Sequence, residues 1–151
     1  MDFKIRQLEE ADLLEGQGFF QTLSNLSDVE GLDIDARKEI FIKAKKQGIY
    51  FLVAVSKESD SEGQIVSTVK LLIEPKFYHG GKAAGHIEDV ATRAGFEGNG
   101  LAKELLKEAI KIAKENNCYK IILDCEKELI PFYSKLGFEE SDVCMRLNFN
   151  K

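Results

Sequence analysis

Residues 85–138 constrain this chain most, because a strand pattern, a glycine-rich turn, a long amphipathic helix, a second strand and an aromatic pair follow one another there. The strand reads Gly85-His86-Ile87-Glu88-Asp89-Val90-Ala91, and the turn Gly95-Phe96-Glu97-Gly98-Asn99-Gly100. A helix opens at Leu101 and Ala102. Leu105, Leu106, Ala109, Ile112 and Ala113 then recur at helical spacing, with lysines and glutamates on the other side. Such a helix packs one face on a sheet. Residues 119–125 form the second strand, ending in Asp124-Cys125, and Pro131-Phe132-Tyr133-Ser134-Lys135-Leu136-Gly137-Phe138 closes the segment.

The flanking sequence supplies the rest of the sheet. Residues 2–8 alternate as a first strand does, and Leu13, Leu14, Phe19, Phe20 and Leu23 suit one or two helices interrupted near Gly16 and Gly18. Asp33-Ile34-Asp35 reads as the cap of another helix, with Ile40, Phe41 and Ala44 on its buried side and Gly48 at its end. Residues 49–55 and 64–73 are strands joined through the polar stretch 57–63, hence antiparallel neighbours. Pro75 stops the second of them, and His79-Gly80-Gly81-Lys82 forms a loop before residue 85. With a last strand carrying Arg146, the order is β, α, α, β, β, β, α, β, α, β. No internal repeat or long linker interrupts it. The 151 residues, 44% of them hydrophobic, therefore read as a single mixed α/β domain spanning 1–151.

Charge and cysteines narrow the function classes. Twenty-one basic residues against 26 acidic ones give a net charge of −5, against the broad basic footprint of a nucleic-acid binder. Recognition of any phosphate must therefore be local. Cys118, Cys125 and Cys144 are odd in number and lack a CxxC spacing, which suggests neither a disulfide framework nor a metal site. Reduced thiols fit a cytoplasmic protein. No export signal opens the sequence, and no apolar run approaches the roughly 20 residues that span a bilayer, so no membrane partner is expected.

A glycine-rich strand–helix junction can hold a pyrophosphate, because the first turn of a helix leaves its backbone N–H groups unpaired beside a partial positive charge. It can equally be a tight turn that needs positive φ. Glu88, Asp89 and Asp124 are candidates to orient an amine; paired acids at a strand end are also common as solvated edge residues. Tyr133 can donate a proton, or simply pack beside Phe132. His79 is a lone loop histidine, and His86 can bond within its strand region. Cys125, with no histidine near it in sequence, reads as a small buried residue rather than an acyl-accepting thiolate.

Read together, these strings resemble the GNAT superfamily of acetyl-CoA-dependent N-acetyltransferases. Its signature is Arg or Gln, two residues, Gly, one residue, then Gly or Ala, and here that window is Glu97-Gly98-Asn99-Gly100-Leu101-Ala102. The first position departs from the pattern, so Glu97→Arg is expected to lower the Michaelis constant for acetyl-CoA. Gly85-His86-Ile87-Glu88-Asp89-Val90, Cys118-Tyr119-Lys120-Ile121-Ile122-Leu123-Asp124-Cys125, Pro131-Phe132-Tyr133, Gln64-Ile65-Val66-Ser67-Thr68 and Ile73-Glu74-Pro75-Lys76-Phe77-Tyr78-His79 are similar to the glucosamine 6-phosphate N-acetyltransferase family.

The resemblance implies a GNAT fold with a mostly antiparallel central sheet, transfer of acetyl from acetyl-CoA to glucosamine 6-phosphate on the way to UDP-N-acetylglucosamine, and a homodimer whose pockets are completed across the interface. Acetyl-CoA would lie on Val90, Ala91, Glu97, Gly98, Asn99, Gly100, Leu101, Ala102 and Tyr133. A strand N–H near Val90 or Ala91 would accept charge from the thioester oxygen. Asp124, Glu88 and Asp89 would serve the amine, and Tyr133 the departing thiolate, a transfer uphill by only about 2 kcal/mol at reference pKa values. His79, Lys82 and Arg146 would hold the sugar phosphate. Two rival functions stay open: an N-acetyltransferase for another amine, and a domain that binds acyl-CoA or a protein without catalysis.

Overall fold

A computed structural model describes residues 1–150. Five strands, β1 (Phe3–Gln7), β2 (Ile49–Ser56), β3 (Ile65–Glu74), β4 (Ala83–Thr92) and β5 (Cys118–Ile122), form one sheet in chain order. The first three neighbouring pairs are antiparallel and β4–β5 is parallel. A parallel pair needs a crossover, which α3 (Leu101–Glu115) supplies. Shorter helices α1 (Phe19–Leu23) and α4 (Ile130–Ser134) and the longer α2 (Ile34–Lys46) complete the order. The expected mixed, mostly antiparallel sheet flanked by helices is what forms.

The unbroken apolar run of β2 follows from burial on both faces. Side chains alternate along a strand, so Leu52 and Ala54 meet α3 while Val53 and Val55 face the N-terminal helices. On the first side, Leu101, Leu105, Leu106, Ala109, Ile112 and Ala113 of α3 are all buried, joined by Tyr133. Gly85 lets that helix come close: a Cβ there would lie 3.2 Å from Ile121 Cγ1 and 3.6 Å from the Ala113 methyl. On the second side, Leu8, Leu13, Phe19, Phe41 and Ile65 form a smaller core.

Two expectations are corrected. Ile40 is 51% exposed; Phe41 and Ala44 face the core, and Arg37, one turn earlier, lies over the Phe20 ring at 3.9 Å. The buried stripe of α2 thus runs Ile34, Arg37, Phe41, Ala44, spaced three and four apart, and Ile40 falls about 100° away from Phe41. The expected last strand is not formed either. After Phe138 the chain is irregular and exposed, with Val143, Met145, Leu147 and Phe149 at 88%, 92%, 78% and 90% exposure. Alternation alone does not make a strand, because the ladder needs a neighbour.

Candidate active site

β4 and β5 pair only from Ala83 to His86 on β4. Beyond that point the strands diverge and leave the β5-facing edge of β4 without a ladder partner. Asp89, Val90 and Ala91 lie on this freed stretch, and Leu123 and Asp124 follow the end of β5 on the other side. The result is a wedge that opens toward the N-terminus of α3.

A bulge shapes the β4 side of the wedge. Thr68 opposes Ala91 and Lys70 opposes Glu88, so two steps on β3 match three on β4. The extra residue is accommodated at Asp89, whose φ of +50° lies in the left-handed region that aspartate tolerates better than most residues. Consecutive side chains of a regular strand point to opposite faces. Here the bulge returns the Asp89 carboxylate to Lys70, with Oδ2 2.9 Å from Nζ, on the side where Glu88 is the cross-strand partner. Asp89 therefore pairs with the lysine whose cross-strand partner is Glu88.

The turn before α3 has the donors a pyrophosphate requires. Gly98 and Gly100 take φ of +78° and +76°, and among the described residues no internal acceptor takes the amides of residues 98–103. Two side chains brace the turn from behind. Glu97 Oε2 accepts from the Gly95 amide at 2.8 Å, and Asn99 Nδ2 donates to the carbonyls of Phe96 and Glu97 at 3.0 and 3.3 Å. Glu97, unexpected at its position, thus has a partner within the turn and leaves the amide cradle open. Glu97→Gln keeps an acceptor for Gly95 while removing the charge. It is expected to lower the acetyl-CoA Michaelis constant about threefold with kcat unchanged, measured by thiol release.

Across the wedge, Tyr133 is 7% exposed and packs edge-on against Phe132 and Phe138 at 5.0 and 6.0 Å. Its hydroxyl makes no hydrogen bond among the described residues. Burial, with the Cys125 thiol and the Asp124 carboxylate nearby, pushes its pKa up, so the phenol keeps its proton at neutral pH. Asp124 itself is exposed, just past the strand. Cys125 is exposed as well, contrary to the reading of it as buried, because β5 ends at Ile122 before reaching it. Desolvation and the carboxylates of Asp124, Glu126 and Glu140 push its thiol pKa up, away from the reactive thiolate.

The basic residues are only partly gathered. His79 stacks on Tyr119 with ring centroids 4.2 Å apart, and Lys82 directly precedes β4. Arg146 lies on the exposed tail, not on a strand, and has no hydrogen bond or ion pair among the described residues. His86 bonds Glu74 Oε1 at 2.8 Å; His86 and Lys76 together hold the Glu74 carboxyl below the usual range. Two residues that hold the end of β4 carry no sequence signal. Lys70 occupied an ordinary polar position of a strand, and Asn25 Nδ2 donates to the Thr92 carbonyl at 2.5 Å, tying the α1–α2 loop to the end of β4.

Known proteins share this fold. The acetyltransferase (GNAT) family model matches residues 18–138. A glucosamine 6-phosphate N-acetyltransferase of Trypanosoma brucei brucei is 36% identical over 98% of this chain and 97% of its own length. A probable glucosamine 6-phosphate N-acetyltransferase 2 of Oryza sativa subsp. japonica is 37% identical over 97% of this chain and 87% of its own. Among solved structures, the glucosamine-6-phosphate N-acetyltransferase of Arabidopsis thaliana superimposes with a TM-score of 0.90 at 32% identity, covering 99% of this chain and 100% of that one. Matched by the family model over residues 18–138 and by these relatives over nearly its whole length, the chain belongs to the GNAT acetyltransferase family, in the branch of the glucosamine 6-phosphate N-acetyltransferases.

Proposed function

We propose that this chain transfers the acetyl group of acetyl-CoA to the amine of glucosamine 6-phosphate by direct attack, in the synthesis of UDP-N-acetylglucosamine. The observation that carries the chemistry is the wedge itself, with Glu88 and Asp89 on one side and Asp124 and Tyr133 on the other. The acceptor's identity rests on the similarity to named glucosamine 6-phosphate N-acetyltransferases over nearly the whole chain.

The chemistry follows from these groups. The diphosphate of acetyl-CoA sits on the amides of residues 98–103, and the thioester enters the wedge. The neutral amine attacks the thioester carbon, forming C–N while C–S breaks. A strand N–H at Val90 or Ala91 donates to the oxygen on which charge builds. Asp124 draws the proton from nitrogen, and the Tyr133 hydroxyl gives its own to the departing thiolate. No acetyl-cysteine is formed. His79 and Lys82 attract the sugar phosphate.

The chain works as a homodimer in the cytoplasm. Support for the dimer comes from the exposed apolar tail, the free edge of β5 with Ile122 at 45% exposure, and the neighbouring Phe77 and Tyr78 at 104% and 63%. A second copy covers that surface and brings its Arg146 to the phosphate. The free thiols of Cys125 and Cys144 suit a reducing compartment. No helix of the described residues is long and apolar enough to cross a membrane. The test is thiol release from acetyl-CoA with glucosamine 6-phosphate, glucosamine, spermidine and a peptide amine side by side, with sedimentation of the same sample. Turnover confined to the phosphorylated sugar is expected; preference for another amine would sink the acceptor assignment, and a monomer active at assay concentration the dimer.

A further inference from the structure

We propose that Lys70 is a positioning residue that lets the acceptor amine bind in its uncharged, nucleophilic form. The inference rests on reading Glu88 and Asp89 as the acids that face the acceptor. Attack on a thioester needs the lone pair on nitrogen, whereas two adjacent carboxylates stabilise an ammonium and raise its pKa. An unbalanced acid pair would therefore hold the acceptor well in the form that cannot react.

Lys70 changes that balance. Its Nζ is 2.9 Å from Asp89 Oδ2, it stands in register with Glu88, and its side chain is only 27% exposed. Phe51 is its partner on β2 and carries no charge. Two carboxylates and one ammonium leave a net charge of −1 where the acids alone would leave −2. Of the other charged groups on the neighbouring strands, Glu74 of β3 binds His86 of β4 and also Lys76, two residues past β3, and Lys120 of β5 lies over the Tyr119 ring. Asp124, beyond β5, is near enough to Tyr133 to help push its pKa up. The bulge matters to this arrangement, because without the left-handed turn at Asp89 that carboxylate would point away from Lys70 and from Glu88.

The sign of the effect is fixed. Removing the Lys70 charge makes the acid pair more negative, raises the pKa of the bound amine and moves the acid limb of the kcat–pH profile upward. Lys70→Met keeps the apolar stem and loses the charge. The limb is expected to rise by about one pH unit, making turnover below it about tenfold slower, with no increase in the acceptor's Michaelis constant. Lys70→Arg should restore the limb. The experiment is kcat against pH for the wild type, K70M and K70R at saturating acetyl-CoA and glucosamine 6-phosphate, with K70Q replacing K70M if the latter does not fold. An unmoved limb, a downward shift, or a uniform loss at every pH overturns the proposal. If the wild type does not acetylate glucosamine 6-phosphate, that alone refutes the acceptor reading, and the same profiles with the amine it does acetylate still decide the role of Lys70.

Discussion

Tyr133→Phe is expected to lower kcat about a hundredfold while leaving both Michaelis constants close to wild type. The phenol is buried and its pKa is raised, so it is present in the protonated form throughout the neutral range. A raised pKa makes it a weaker acid, but a thiolate brought into the same apolar surroundings beside Asp124 meets the same penalty. The proton transfer thus stays close to its reference cost of about 2 kcal/mol. Because the hydroxyl has no hydrogen-bond partner among the described residues, deleting it costs no buried bond, and the ring contacts with Phe132 and Phe138 persist. The melting temperature should therefore hardly move. That combination separates a chemical role from a packing one: wild-type turnover in the phenylalanine variant would mean that the thiolate leaves without the phenol's help.

Asp124→Asn should be at least as damaging, by about a hundredfold in kcat/KM, and the loss should be distributed differently. The carboxylate is exposed in the single chain and is not part of the core, so stability is not at stake. The amide keeps the shape but neither attracts the amine nor accepts its proton. Both the acceptor's Michaelis constant and kcat should suffer, while the acetyl-CoA Michaelis constant does not. Kinetics with each substrate varied in turn checks this. A variant altered only in kcat would confine Asp124 to proton removal, and one altered in neither would move the amine's partner to Glu88 or Asp89.

The sequence was most legible where one residue's environment is set by its own element. All six apolar positions read from α3 are buried, because an amphipathic helix over a sheet has one way to lie. The amide turn was legible for the same local reason. What pairing decides was not. Glu88 and Asp89 look alike in the sequence, and the turn of Asp89 toward Lys70 depends on a bulge that arises only where β3 and β4 meet. Nothing in the sequence links Lys70 to Asp89; that ion pair exists only because the bulge turns the acid toward it. Ile40 was misplaced because the helical stripe of α2 admits an arginine, whose guanidinium lies on Phe20. The tail misleads in the opposite way: its alternation is strand-like, and none of the described strands pairs with it.

The division of the sheet into a doubly covered half and a diverging half has a consequence for hydrogen exchange. Leu52, Val53, Ala54 and Val55 are 1%, 0%, 0% and 3% exposed, so amides of central β2 should exchange only when the whole domain opens. The amides of residues 98–103 have no acceptor among the described residues to shield them and should exchange fast in the free protein. Bound acetyl-CoA should slow them selectively, without altering the rates in β2. The protein would thus report occupancy of its cradle through the least protected stretch of its backbone.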